Sequence, residues 1–350
     1  MIQHRRRFLQ TTGAAGTLLF APAIIGRAQA QAGKPSWLVD DALLAAAQKE
    51  GNLVVYTTTN EGEALPMWKL FTDATGVKVQ VIRASDSSIL GRVMVEARAR
   101  QKSWDVVQTA NVQKFPAQFL EAYEPPEAKN LEAGARAADK RWYGVYANYN
   151  TPAYNTKQVN AADLPRSYEE MARRTDWRGK CVIDDTDTVW LAVMFDHYGE
   201  KRGREILTEM AKNLQPAVQD GHLALARSVA AGEYAVIINN YLNLTLNVKM
   251  AGGATDFWIL DPVALFYGQI GIASNAPNPN AAKLAANFQI SREAQTHLAK
   301  FGRLPTRADV EVNPKGALDG MKNVKVVPKL LSAEDEKKWS GVFKDIFRTR

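Results

Sequence analysis

Clusters of hydroxyl and amide side chains are the groups in this sequence most able to hold a ligand. They are Thr57-Thr58-Thr59-Asn60, Thr109 with Asn111, and Asn239-Asn240 followed by Tyr241. Thr186-Asp187-Thr188 is a further group, with Trp190 two residues on as a ring that could stack on a ligand. Such groups donate and accept hydrogen bonds with little net charge, which is the chemistry of recognition. Catalytic patterns are missing from the sequence: no His-Glu-x-x-His, no Gly-x-Ser-x-Gly, no phosphate loop and no paired cysteines for zinc or haem. His197, His222 and His297 are far apart and read as surface or core residues. Cys181 is single, so it forms no intrachain disulfide, and beside Val182 and Ile183 it reads as a small core residue. Asp184, Asp185 and Asp187 could hold a divalent ion or simply face solvent, and Asp187 could cap the helix that follows.

The elements that must position these groups follow from periodicity. Helical patterns cover Asp40 to Lys49, Met67 to Ala74 and Ser88 to Arg100. Between them Leu53-Val54-Val55-Tyr56, Val77 to Ile82 and Trp104 to Val107 read as short buried strands. Strand and helix alternate at spacings that imply a parallel sheet covered by helices. Ligands of such sheets bind beyond the carboxyl ends of the strands, which makes residues 57–60 and 108–111 first candidates. From Trp142 to Tyr154 the chain turns extended and aromatic, as a long strand passing between two lobes would. A second alternating set follows: helix 168–173, strand 181–183, helices 189–198, 202–213 and 223–231, and strand 234–238, which ends at Asn239-Asn240-Tyr241. Residues 256–274 form a second extended passage, and a helix over 281–301 and a helical tail after Ser332 complete the reading.

The chain has 350 residues, 46% hydrophobic and 23% charged, which suits a globular protein of two domains and excludes a disordered chain or a disulfide-stapled miniprotein. Its net charge is +7, but Arg5, Arg6, Arg7 and Arg27 fall in the first 30 residues, which hold no acid, so only +3 is left for the rest. That balance gives no electrostatic reason to expect nucleic acid or anionic lipid as a partner. The basic start has another meaning. Arg5-Arg6-Arg7-Phe8-Leu9 resembles a twin-arginine export motif, and Thr11 to Ile25 is an apolar run too short for a stable membrane anchor. Ala28-Gln29-Ala30, or Ala30-Gln31-Ala32, offers the cleavage site. Residues 1–30 are therefore expected to be a signal peptide cleaved near Ala30, and the mature protein to be periplasmic and exported already folded.

Several segments in order resemble the periplasmic substrate-binding proteins of bacterial ABC importers, in the ferric-iron-type subfamily of the extracellular solute-binding proteins (family 1). They include Gly51-Asn52-Leu53-Val54-Val55-Tyr56-Thr57, Phe71 to Val77, Trp104-Asp105-Val106-Val107, Asp176-Trp177-Arg178-Gly179-Lys180, Ala231 to Val236, Ala276 to Leu284, and Gly302-Arg303-Leu304-Pro305-Thr306-Arg307. The resemblance implies an α/β fold of the periplasmic-binding-protein type II, with two lobes joined by crossing hinge strands. Residues 31–147 plus 262–306 would make the first lobe, and 148–261 plus 307–350 the second. It further implies a monomer that closes on a solute and docks on an ABC permease of the inner membrane. Ferric-binding relatives grip iron with two adjacent tyrosines, helped by a His or Tyr near the first strand and an acid after the third. Here Tyr241 is followed by Leu242, Thr57 to Asn60 stand near the first strand, and Ala110-Asn111 follow the third. Tyr241 would be a metal ligand only if iron is the cargo. Family members also bind an anion at the helix start that Thr186, Asp187 and Thr188 occupy here, where Asp184, Asp185 and Asp187 would repel an anion if they faced the cleft. The expectation is a non-enzymatic receptor for a small organic or anionic solute, gripped by neutral hydrogen bonds and a ring, with no resident cofactor. Iron(III), an exported enzyme, or a receptor feeding a sensor are the alternatives.

Overall fold

Glycine ends the first two helices, and the strand that follows each starts the first lobe. The computed structural model describes residues 34–38 and 40–348, which excludes the segment read as an export signal. Helix α1 (Asp41–Glu50) starts at Asp40, whose carboxylate accepts from the Leu43 N–H, and stops at Gly51 with φ 73°. Strand β1 (Asn52–Thr57) leads to α2 (Glu61–Thr75), closed by Gly76 at φ 76°, then to β2 (Lys78–Arg83), α3 (Asp86–Arg98) and β3 (Val106–Thr109). Helix α2 starts six residues before the expected Met67 and carries Pro66 inside it. Pro66 is the sixth residue of the helix, and its effect on the pattern hid the first turn from a periodicity reading. Strands β2, β1 and β3 pair in parallel in that order.

A 13-residue strand, β4 (Tyr143–Asn155), then crosses the molecule. The second lobe follows with α4 (Tyr168–Ala172), β5 (Cys181–Asp184), α5 (Thr188–Tyr198), α6 (Glu200–Leu214), β6 (Ala217–Gln219), α7 (His222–Ala231) and β7 (Val236–Tyr241). Next come α8 (Leu242–Met250), β8 (Thr255–Phe257), β9 (Val263–Ile272), α9 (Pro279–Gln289), α10 (Arg292–Ala299), β10 (Val326–Pro328) and α11 (Ala333–Phe347). The expected helix 281–301 is two helices, split where Ser291 caps the second. Helix α8 begins directly after the strand-ending Asn239-Asn240-Tyr241, at Leu242, with no side chain capping its start.

The strands lie in the order β2-β1-β3-β9-β4-β7-β5-β6. Strand β4 is antiparallel to β9 from Tyr143 to Tyr149 and to β7 from Asn150 to Tyr154, so one strand belongs to both lobes. Strands β7, β5 and β6 are parallel, repeating the pattern of the first lobe. Each lobe has its own core. Trp37, Trp68, Phe71 and Phe288 form an aromatic cluster in the first. Tyr168, Trp190, Phe195, Trp339 and Phe343 anchor the second, and α11 packs there against α5 and α6. Cys181 is fully buried in that core. Among the described residues no helix is long and apolar enough to cross a membrane.

Candidate functional site

Because the strands of each lobe run in parallel, their carboxyl ends, and the helices that leave them, gather at one edge of each lobe. The two edges face a shared cleft of about 770 Å³. The caps or first residues of five helices stand in its wall: Asn60 of α2, Ser85 and Asp86 of α3, Asp187 of α5, Gly221 and His222 of α7, and Tyr241 at the start of α8. A helix start carries backbone N–H groups without intrahelical partners and the positive end of the dipole; here the Ser88 N–H of α3 is taken by Ser85 and the Gly221 N–H at the start of α7 by Asp184.

The sequence candidates separate into two layers. Thr58, Asn60, Asn111, Thr186, Asp187 and Tyr241 line the cleft. The remainder stand behind that wall. Thr57 donates its hydroxyl to Gln108 at 3.2 Å and accepts from the Thr59 N–H at 3.0 Å, and both threonines are fully buried. Thr109 donates to Asp86. Thr188 is buried in the first turn of α5. Asn239 ties β7 to β5 by accepting from the Asp184 N–H at 2.8 Å and donating to the Asp184 carbonyl at 2.9 Å. Asn240 donates to Thr245 at 2.9 Å and its Oδ1 lies 3.2 Å from Nδ1 of His222. Trp190 does not offer a stacking face: it is 1% exposed, and its indole N–H donates to the Tyr168 hydroxyl in the second core.

The expectation of a neutral grip needs correction, because charged residues supply much of the wall. Asp86, Asp185, Asp187, Asp220 and Glu336 face the cleft together with Arg83, Lys114, Arg227, Arg303, Lys329 and Lys344. Arg83, Arg227 and Lys344 have no ion-pair partner among the described residues. Arg303 is buried, pairs with Glu63 at 2.6 Å and lies 4.3 Å over the ring of Tyr146. The sequence contained signals for some of these residues. Ser85-Asp86-Ser87-Ser88 after a strand is a helix-start pattern, and the Ser85 hydroxyl accepts from the Ser88 N–H at 3.3 Å. Asp86 reaches across to Thr109 and Asn111, so a carboxylate does stand beyond the third strand, delivered by α3 instead of by the loop. His222 joins the wall at the start of α7, with its ring 3.7 Å from that of Tyr241.

The acidic residues at the floor are strained electrostatically. Asp187 lines the cleft but is only 2% exposed, and burial pushes its carboxyl up to about 6, with Asp184 adding to the rise while His222 and Asn150 oppose it. Asp86 is also raised, again first by burial. Burial holds the Tyr241 phenol well above its usual range, and Asp187, Asp184 and Asp86 all push it further. Asp184 itself is turned inward: it accepts from the Thr186 N–H and hydroxyl at 2.8 and 2.5 Å and from the Gly221 N–H at 2.9 Å. Among the described residues no three His, Cys, Asp or Glu side chains converge as a metal-binding group. Buried polar atoms without a hydrogen-bond partner include Asn148 Oδ1, Gln113 Oε1 and His222 Nε2, all on residues of the cleft wall.

A family model described as bacterial extracellular solute-binding protein matches residues 105–323. Iron uptake protein A2 of Synechocystis sp. is 25% identical over 273 residues, 71% of this chain and 77% of that protein. A Salmonella typhimurium periplasmic protein assigned to 2-aminoethylphosphonate binding is 26% identical over 261 residues, 69% of this chain and 73% of its own length. The structure of the periplasmic binding protein AfuA from Actinobacillus pleuropneumoniae, with fructose-6-phosphate bound, superposes with a TM-score of 0.73 at 19% identity. It covers 86% of this chain and 99% of that one, and at this identity the likeness is one of fold.

Proposed function

The chain belongs to the bacterial extracellular solute-binding proteins, periplasmic receptors of the ferric-type ABC-importer kind, and from that premise we propose that it delivers a small organic solute with an anionic group to an inner-membrane permease. One observation carries the reading: five helix starts drawn from both lobes converge on one cleft. Orphan N–H groups and dipole ends of this kind favour a phosphonate, phosphate or carboxylate. A solute touching both walls stabilises only the closed arrangement, so binding energy drives the hinge at β4 and β9. In this reading the protein is a monomer, freed from its export signal near Ala30, and performs no chemistry on its cargo. Two of the relatives' named ligands fit it, since a phosphonate and a sugar phosphate are both small organic anions, whereas Iron uptake protein A2 is named for iron.

A ferric ion is the second reading: one relative is named for iron uptake, and Tyr241, Asp86 and Asp187 bring three oxygen donors to the cleft wall. Against it stand Leu242, fully buried where a second tyrosine would be, and a phenol that holds its proton tightly. Calorimetric titration of ligand-stripped protein tests both. Affinity for 2-aminoethylphosphonate or fructose-6-phosphate at micromolar level or better, about −8 kcal/mol, with compaction in small-angle scattering, is the expected result. Tight binding of ferric citrate that Tyr241→Phe abolishes, with no response to either anion, would replace it with iron.

A further inference from the structure

We propose that Arg303 is the residue that holds the solute's anionic group, and that the free edge of its guanidinium selects an oxyanion able to present two oxygens in one plane. This deepens the reading of the cleft as an organic-anion site and rests on it. Arg303 follows Gly302, which turns the chain at φ 81°, and precedes Leu304, whose carbonyl accepts from the Ala147 N–H of β4 at 2.8 Å. The residue is buried, yet it stands in the cleft wall. Its Nε donates to Glu63 at 2.6 Å, and its guanidinium lies over the Tyr146 ring. Nη1 and Nη2 donate to no group among the described residues, and neither is sealed from solvent, so both open on the cleft.

Arg307, four residues on, shows the contrast with a buried arginine that only holds structure. Its Nε and Nη2 donate to Asp309 at 2.8 Å, and its Nη1 to Glu127 and to the Ile290 carbonyl, so all three nitrogens are used. In Arg303 only one is. Donors held away from bulk water without an acceptor are costly, and more so on a charged group. Glu63 and Tyr146 fix the plane of the guanidinium before a ligand arrives, so little freedom is lost on binding. The outer edge of such a fork matches a carboxylate, or one pair of oxygens of a phosphonate or phosphate. The carboxylates of the wall do not occupy it: Asp86 accepts from Thr109 and Asn111, and Asp187 from Asn150. Gly302 lies against α8, where a Cβ would come 3.2 Å from the Asn243 carbonyl, and that helix has no acid in its first turn. Its dipole therefore adds to the attraction of the fork for an anion. Arg83, Arg227 and Lys344 of the same wall are exposed, so water screens their charge and nothing fixes their geometry.

The test measures binding and stability of the full mature chain with fructose-6-phosphate, 2-aminoethylphosphonate and gluconate, which separate phosphate, phosphonate and carboxylate. Arg303→Lys keeps a positive charge for Glu63 and removes the fork. Titration calorimetry is expected to show a loss of about tenfold or more for whichever probe the unaltered protein binds best, while the urea midpoint stays close to that of the unaltered protein. A smaller loss overturns the role of Arg303 and leaves the organic-anion receptor standing. If the lysine variant unfolds, the double change Glu63→Gln with Arg303→Met takes its place, with circular dichroism verifying the fold. Affinity that survives the double change overturns the proposal in the same way. Binding of none of the three probes by the unaltered protein overturns both readings.

Discussion

Lys114, on the first lobe with only 4% of its side chain exposed, places Nζ 2.5 Å from Oε2 of Glu336 on α11, which packs on the second lobe. Both residues line the cleft, so this ion pair bridges its mouth. Lys114→Ala removes the bridge, and the ligand-free protein should then open further, seen as a larger radius of gyration in small-angle scattering. Glu336 is about one-third exposed, so solvent reduces the worth of the pair. About 1 kcal/mol, or roughly fivefold weaker solute binding, is the expected size. An unchanged scattering profile and unchanged affinity would mean that the pair does not govern closure.

Asp187 makes stability depend on pH in a direction unusual for an aspartate. An unfolded aspartate titrates near about 3.9, and burial moves the folded carboxyl up to about 6. The groups around it are Asp184, His222, Asn150 and Tyr241. Since the folded value is the higher one, the native state holds the proton that the unfolded chain releases between these two pH values. Its contribution therefore falls as pH rises from about 4 to about 6, and above that the ionised buried carboxylate costs on the order of 3 kcal/mol. Asp187→Asn should gain up to that amount in urea unfolding at pH 8 and gain nothing below pH 4. A gain independent of pH would show that the effect is one of packing.

Much of the scaffold is readable in the sequence because its signals are local. Alternation of short apolar runs with helical patterns locates β1 to β3 and β5, and the first two helical patterns end one residue short of their observed helix ends, which Gly51 and Gly76 cap. The cleft is less readable because its residues meet only through topology. Asp86 reaches Thr109 and Asn111 because β1, β2 and β3 are neighbours in parallel, which no spacing along the chain reveals. On β4 every position is buried or nearly so, so alternation gives no clue to which residues face the cleft. Tyr146 and Asn148 face it, whereas Tyr149 packs on the first core and Tyr154 against Trp258. A shift in pairing between Gly144 and Tyr146 further disrupts the parity. Trp190 illustrates the reverse error: a tryptophan near a candidate loop resembles a stacking platform until the helix turns it into the core.

Arg303 and Glu63 join α2 to the segment after α10 beneath the cleft, with 6% and 4% of their side chains exposed. A pair this deep is costly to break from one side, because the partner keeps its charge without water or counter-charge. Glu63→Gln should cost about 3 kcal/mol or more. The double change Glu63→Gln with Arg303→Met should recover a good part of that loss, since it removes both charges. Urea denaturation of the three variants measures the coupling, and additive single-site losses would contradict it.

Gly268 on β9 pairs with Tyr146 on β4, and a Cβ at 268 would collide with the tyrosine ring. The missing side chain is what lets the ring lie flat on the strand, with the Arg303 guanidinium 4.3 Å above it. Gly268→Ala must push the ring toward the cleft or twist the strand, at a cost of about 1–3 kcal/mol. Solute binding should weaken by about tenfold or more, because Tyr146 and Arg303 both line the wall. Gly341→Ala is the control: it lies on the exposed side of α11 with nothing near its Cβ position, and alanine there should add up to about 1 kcal/mol of stability. Its binding should match the unaltered protein. If Gly268→Ala binds as tightly as Gly341→Ala, the ring's seat on β9 has no part in forming the cleft.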